Sequence, residues 1–475
     1  MNGGALAMRT ALFAALSLAN LTILWSPDVL PNSWFAWTVL REGNVDYDEF
    51  TRPPVSVDRQ AYFFRACGES TFTGTPGAAR SIGGPPPPGP NDHVCSVFPP
   101  GAEILALPFF APAVLAGLGA DQLGGILGIG KVVAALEEGL AAALLVAALT
   151  PLAGARWSLV LGALYLLATG VRTASSQALW QHGAVHLLEI AALYLVLPLF
   201  RGGRVAPSRL FAAGVALGFA IVTRQTSALF AAAMLAALVA ARLPWRPLAL
   251  GALVGVVPLP LYDLVAFGDP LEQGYGVKAF GTPLLEGLYG VLLSPSRGLF
   301  VYSPFLLFAI APFVRAWWSP ERVAILLRAL GVATAALVVA YAVYAEWWGG
   351  RAYGARFLTD ALPALFLALA LGLPRARPSR AGFALTALWA ILLYGAGSFA
   401  YAQTSGGGGV WDTARNINFD QRALFSWSDT QWLDTLANAA RLEPREIAAI
   451  ALTVLVLAAV AFVERDSLFP RRVRS

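Results

Sequence analysis

Charge is what this chain has least of. Only 13% of its 475 residues are Asp, Glu, Lys or Arg, while 57% are hydrophobic. Histidine is limited to three residues, and cysteine to Cys67 and Cys95. No internal repeat, no soluble domain and no nucleic-acid motif is visible, and the net charge of +5 reflects arginines gathered in short loops. A helical crossing of hydrocarbon takes ~20 apolar residues. Runs of that order recur along the chain and stop at lone charged residues, as between Arg224 and Asp263 and from Leu326 to Leu373. The composition therefore predicts a single polytopic, all-α membrane domain spanning 1–475.

About twelve crossings are expected, near 8–26, 131–149, 157–172, 184–200, 209–223, 227–241, 247–266, 299–315, 323–345, 359–373, 382–401 and 446–463. Orientation follows the arginines of short loops. Arg156, Arg201, Arg204, Arg209, Arg242, Arg246, Arg315, Arg322, Arg328, Arg375, Arg377, Arg380 and the tail arginines Arg465, Arg471, Arg472 and Arg474 fall on one face if both termini are cytoplasmic. The opposite, extracytoplasmic face of a plasma membrane then receives 27–130, 173–183, 267–298, 346–358 and 402–445. Segment 101–119 is apolar enough to span, but counting it inverts every later loop. It is read as a juxtamembrane helix on the outer face, bent by Pro108. The apolar run after Arg9 reads as the first crossing, because no small-x-small cleavage site follows it.

Both cysteines lie in the first large loop. Two thiols in an outward loop form a candidate disulfide, which an oxidising compartment permits. It would tether an excursion containing the poorly foldable stretch 83–89 with its four consecutive prolines.

The charged positions near the outer rim are few. Asp28 follows Trp25-Ser26-Pro27 where the first crossing ends. Partial desolvation there raises a carboxylate's pKa and improves it as a proton acceptor; the plain alternative is an Asp that only ends a helix. Asp46, Asp48 and Glu49 form an acidic knot, either a solvated face or a metal or sugar-hydroxyl site. Trp180-Gln181-His182 opens a segment in which His186 and Glu189 share a helical face. A metal site needs more ligands than that segment holds. Arg224 ends a crossing on the outward side against the charge bias, which calls for an anion such as a lipid phosphate. Tyr275 follows Gln273-Gly274 and precedes Gly276 in the next outward loop, and Arg297 begins the following crossing. Glu346-Trp347-Trp348-Gly349-Gly350-Arg351-Ala352-Tyr353-Gly354-Ala355-Arg356 is a tight loop suited to a phosphate and a flat sugar face. An aromatic belt explains its tryptophans but not its paired arginines.

These motifs, in order, resemble the polytopic glycosyltransferases of the C superfamily, which take sugars from polyprenyl phosphates and include protein O-mannosyltransferases and lipid A aminoarabinose transferases. The resemblance gives Asp28 the role of catalytic acid; Asp48 and Glu49, close by in the chain, are expected to support it. Phe98-Pro99-Pro100-Gly101 is similar to the family's first-loop juxtamembrane element. Arg224 matches a residue that meets the donor phosphate; Arg297, Arg351, Tyr353 and Arg356 are similar to outer-loop residues. His182 stands where many members carry a second acid, a departure from the family's usual metal site, and Asp28 and His182 are the candidate ligands for a divalent metal ion.

The expected activity is inverting sugar transfer from a polyprenyl-phosphate donor to a lipid, glycan or protein acceptor, with a carboxylate base. A lipid-glycan transporter or flippase is the alternative, with Glu137, Glu138, Glu189 and Asp263 lining a path. A structural or assembly subunit is the third reading.

Overall fold

A computed structural model describes residues 3–20, 26–68, 88–272, 274–275, 280–404 and 408–468. Trp25, most of 83–89, Gln273, Gly276 and the tail arginines Arg471, Arg472 and Arg474 lie outside the described residues.

The described chain is all-α apart from one antiparallel ribbon, β1 (Phe64–Ala66) with β2 (Val94–Ser96). Its helices are α1 (Gly3–Leu18), α2 (Val29–Arg41), α3 (Asp48–Thr51), α4 (Gly101–Leu115), α5 (Leu123–Leu167), α6 (Gln181–Phe200), α7 (Pro207–Thr223) and α8 (Ala228–Ala240). There follow α9 (Arg246–Val256), α10 (Pro258–Phe267), α11 (Leu284–Leu293), α12 (Leu299–Tyr302), α13 (Ile310–Ala316) and α14 (Arg322–Val343). The last are α15 (Leu362–Leu371), α16 (Arg377–Ala400), α17 (Val410–Ala414), α18 (Gln431–Asn438), α19 (Pro444–Val463) and the single turn α20 (Arg465–Leu468). Among the described residues, six segments are long and apolar enough to cross a membrane: α5, α6, the pair α9–α10, α14, α16 and α19. Shorter apolar helices accompany them, and no separate soluble domain is present among the described residues.

Local sequence explains the breaks. Two of the expected crossings lie in the 45-residue α5, which Gly154 interrupts with a φ of 78°. Left-handed backbone is readily open only to glycine. The crossing expected at 299–315 is interrupted at Ser303 and Pro304, where proline brings no N–H to the helix, and Ser303 Oγ donates instead to Ala168 O at 2.7 Å. The 15-residue α4 carries Pro108 and Pro112 inside it. At ~1.5 Å per residue it is about 22 Å long, short of the ~30 Å hydrocarbon core.

Helices α7 and α9 pack backbone to backbone through four glycines. A Cβ on Gly214 would lie 2.0 Å from Leu248 O, and one on Gly251 would lie 2.1 Å from Phe211 O. Gly218 and Gly255 repeat the pattern one turn along, each meeting carbonyl oxygen at 2.2–2.3 Å. Lipid tails give helices no hydrophobic reason to associate, so close backbone contact through small residues does it instead.

The five loops expected outside meet at one end of the bundle. Arg65 of the first loop pairs with Glu272 at 3.1 Å, both buried. Phe280 bridges to Tyr344, Tyr275 bonds Gln181, and Arg297 pairs with Asp412 at 2.6 Å. Near the two chain ends, Arg9 Nη2 of α1 donates to Glu464 Oε2 at 2.9 Å just past α19. Cys67 and Cys95 are joined as a disulfide, their Cα atoms 5.2 Å apart, at the end of the ribbon where Arg65 opposes Cys95.

Candidate active site

Asp28 is the N-cap residue of α2, yet its side chain makes no capping bond. The carboxylate turns instead to two donors from distant loops. Arg356 Nη1 lies 2.8 Å from Oδ2, and the Tyr62 hydroxyl donates to Oδ1.

The loop that delivers Arg356 turns on glycine. Gly349, Gly350 and Gly354 have φ of 72–74°, and Gly354 N–H donates to Gln431 Oε1 at 3.1 Å. The Arg356 guanidinium lies 4.3 Å over the Trp180 ring and 5.2 Å from the Phe357 centroid, where the ring faces favour a cation.

Phe357 connects this group to Arg224, whose guanidinium lies 5.5 Å from the same ring. Arg224 has extended backbone between α7 and the turn before α8, with φ −157° and ψ 116°. Its Nε stands 2.9 Å from Asp360 Oδ2 and its Nη2 donates to the Tyr341 hydroxyl at 2.6 Å. Gly101 of the Pro-Pro-Gly element presses on Thr223, immediately before Arg224: a Cβ there would lie 2.4 Å from Thr223 Cα. Tyr275 is acted on electrostatically by both Arg224 and Asp28, and burial holds its phenol above the ordinary value. Asp28, Arg356 and Arg224 thus share one neighbourhood.

His182 is buried in the same wall, with Nδ1 2.6 Å from Asp360 Oδ1. Behind it, His186 Nε2 lies 3.8 Å from Asp360 Oδ1, and His186 Nδ1 lies 2.8 Å from Glu138 Oε1. A cavity of about 20 Å³, room for about one water, lies beside Asp360, lined by Glu189, Thr226, Ser227 and apolar side chains of α8, α14 and α15. Glu189 Oε2, Thr226 Oγ1 and Ser227 Oγ are buried there without hydrogen-bond partners among the described residues.

The arginines divide by what their N–H groups already do. A guanidinium offers donors on Nε, Nη1 and Nη2 only. In Arg297 all of them are occupied: Nε by Trp348 O, Nη1 by Ser296 O and Gln431 Oε1, Nη2 by Gly350 O and Asp412 Oδ1. It is 2% exposed. The expected role of Arg297 on a phosphate is therefore corrected: it is a strut between two outer loops. Arg224 Nη1 and Arg356 Nη2 have no partner among the described residues. Arg351 lies away from them against Gly408, whose added Cβ would meet Arg351 Cβ at 2.7 Å. Tyr353 is also corrected. It is buried among Tyr302, Tyr394 and Tyr401 and donates to Leu393 O at 3.0 Å, so it holds the core and presents no sugar-binding face.

Asp48 and Glu49 do not support Asp28. Glu49 accepts from Thr38, ten residues along α2 from Asp28 and so ~15 Å away. Asp48 pairs with Arg52 at 3.0 Å and His93 at 2.9 Å and accepts from Val94 N–H. Asp46, Asp48 and His93 bring ligand-type atoms within 4.8 Å of one another. Asp28 and His182 belong to no such group among the described residues: the Asp28 oxygens already accept from Arg356 and Tyr62, and His182 Nδ1 lies against Asp360. They do not fit a shared divalent ion, and no step is derived through one.

Asp360, Tyr62 and Tyr341 were not singled out by sequence. Asp360 carried a signal, an acid inside an apolar run four residues after Arg356. The tyrosines carried none.

No protein-family model and no curated protein matches the sequence. Solved structures do. ArnT from Cupriavidus metallidurans in the apo state gives a TM-score of 0.53 at 16% identity, over 98% of this chain and 77% of that one. ArnT bound to undecaprenyl phosphate gives 0.50 at 16% identity, over 97% and 78%. The chain has their fold. The all-α membrane architecture expected from the resemblance is the one observed.

Proposed function

We propose that this chain is a membrane glycosyltransferase that moves a sugar from a polyprenyl-phosphate donor to an acceptor on the extracytoplasmic face. One observation carries the reading: Asp28 stands against Arg356, and Arg224 lies beyond the shared Phe357 ring, both arginines keeping N–H groups to offer. The fold shared with a protein solved bound to undecaprenyl phosphate supports a lipid phosphate as the anion. The arginine bias of the opposite loops supports the extracytoplasmic side.

The chemistry follows from the groups present. Fixed guanidiniums in a low-dielectric site stabilise the charge that grows on the departing phosphate. Asp28 takes the proton of the acceptor hydroxyl or amine as that atom attacks the anomeric carbon. Direct displacement from the face opposite the phosphate inverts the anomeric centre. A phosphate held at the rim leaves the isoprenoid tail in hydrocarbon.

The test uses the purified full chain with a polyprenyl-phosphate-sugar fraction from the producing cells. Sugar transfer with release of polyprenyl phosphate is expected. Movement of lipid-linked sugar across proteoliposomes without transfer would favour a flippase and overturn the proposal.

A further inference from the structure

Tyr62 is placed the reverse of most tyrosines at a surface. Its ring is 63% exposed, while its hydroxyl is turned inward and donates to Asp28 Oδ1. A tyrosine ordinarily buries its apolar body and keeps its polar tip wet. The next two residues, Phe63 and Phe64, are buried in the core of the first loop. Phe63 meets the Tyr62 ring edge to face, 5.4 Å between centroids. Of these three consecutive aromatic residues, Tyr62 is the one left out of that core, and it is the one bonded to Asp28.

The two oxygens of Asp28 divide the site. Oδ2 accepts from Arg356 Nη1 at 2.8 Å, on the side of the arginines, and Oδ1 accepts from Tyr62. In a direct displacement the attacking atom and the departing phosphate lie on opposite sides of the anomeric carbon. With the phosphate against Arg224 and Arg356, and the acceptor's proton taken by Asp28, the body of the acceptor extends from Asp28 away from the arginines. Tyr62 is the side chain that meets Asp28 there. An aromatic face is the negative part of a quadrupole, which attracts the polarised C–H groups that a sugar ring presents on one side. The surroundings suit a sugar better than an acyl chain. The ring stands beside the Asp28 carboxylate, with the Arg356 guanidinium and the Tyr275 phenol in electrostatic range, and all three can bond hydroxyls.

We propose that Tyr62 is the acceptor-binding residue of the transfer: its ring packs on the C–H face of an acceptor sugar, and its hydroxyl holds Asp28 beside the sugar hydroxyl that attacks. This rests on the transferase reading above and narrows its acceptor to a glycan, free or lipid-linked. The acceptor oxygen bonds to the anomeric carbon. The bond from that carbon to the phosphate oxygen breaks, and its electron pair stays on the phosphate. The acceptor's proton passes to the Asp28 carboxylate, and Tyr62 keeps its own.

The test uses the full chain in nanodiscs, the cell-derived donor fraction, and cell-envelope material from the same cells as acceptor. Linkage analysis is expected to find the new bond on a sugar hydroxyl. Separate glycolipid and water-soluble glycan fractions tell which of them carries that sugar. Tyr62→Phe keeps the ring and loses the hydroxyl, and should lower kcat ~10-fold, the low end for a hydrogen bond to a charged group, with the KM for the acceptor fraction unchanged. Tyr62→Ala loses the ring as well, and that KM should rise roughly 3–10-fold, the worth of an aromatic contact. Affinity for undecaprenyl phosphate should be the same in both variants and the unsubstituted chain. Both substitutions fall on an exposed ring and leave the core filled. Equal KM in the two variants overturns the proposal, as does a product bonded to a protein side chain or a non-sugar lipid hydroxyl. Weaker undecaprenyl phosphate binding by Tyr62→Ala overturns it too, by putting the ring on the donor side. No transfer to any fraction by the unsubstituted chain instead overturns the reading on which it rests.

Discussion

Arg356 Nη1 donates to Asp28 Oδ2 at 2.8 Å, joining residues 328 positions apart in sequence. Both side chains are largely withdrawn from solvent, 10% and 23% exposed. The pair fixes the first loop against the α14–α15 loop and sets the acid beside the cations.

Asp28→Asn keeps the side chain's shape and removes its charge and basicity. Sugar transfer is expected to fall by ~10²–10⁴-fold, the usual contribution of a positioned base. Undecaprenyl phosphate should bind at least as well, because Arg356 loses its internal anion. Transfer at the wild-type rate by a correctly folded variant removes Asp28 from the mechanism.

Arg224→Gln and Arg297→Gln should separate binding from stability. Arg224 has an N–H left for a phosphate oxygen, and a charge-assisted bond is worth ~1.5–3 kcal/mol, or roughly 10–100-fold in undecaprenyl phosphate affinity. Arg297 is a strut against Asp412, Gln431 and three carbonyls. Its loss leaves Asp412 buried and uncompensated, at about 3–5 kcal/mol. Lipid titration and thermal unfolding of both variants in the same detergent decide the matter. Equal loss of affinity in the two would contradict the division.

Sequence made the architecture legible because hydrocarbon imposes length and polarity on every crossing. The break between 149 and 157 and the stop at Arg224 were readable for that reason. Asp28, Arg224 and Arg356 were readable because a charge at the rim costs free energy and so draws attention. Arg297 looked the same in sequence as Arg224, since nothing local tells a donor filled by Asp412, 115 residues away, from one left open. Asp48 and Glu49 were assigned to Asp28 by closeness in the chain, but α2 is rigid and carries them to its other end. Asp360 was hidden in an apolar run, and its partners His182 and Arg224 come from two other segments. The Gly214–Gly218 and Gly251–Gly255 spacing was present but passed over, because neither pair names its partner helix.

Glu49 supplies a pH test outside the membrane segments. Burial pushes its carboxyl up to about 7, opposed by the Thr38 hydroxyl. Because the folded pKa lies above the unfolded one, the folded state binds more protons between about 4.5 and 7, and stability falls as pH rises through that window. Glu49→Gln removes the penalty. The variant should match wild type near pH 4.5 and melt higher above pH 7, by at most ~1–2 kcal/mol once solvent screening of this partly exposed group is allowed for. A stability difference that does not change with pH would contradict the assignment.

Cys67 and Cys95 allow the orientation itself to be measured, since no other cysteine can interfere. Their bond spans 28 residues, and closing a loop of that size stabilises by about 2–4 kcal/mol. Cys67→Ser/Cys95→Ser should therefore melt lower, without loss of the Asp28–Arg356 pair on the far side of Tyr62. In intact spheroplasts, a membrane-impermeant maleimide should not label the unsubstituted chain before reduction. After a membrane-impermeant reductant it should label the half-buried Cys67, because an extracytoplasmic loop is oxidised and reachable, while Cys95 stays enclosed. Labelling that appears only after the membrane is permeabilised would put the first loop in the cytoplasm, and the site of Asp28, Arg224 and Arg356 with it.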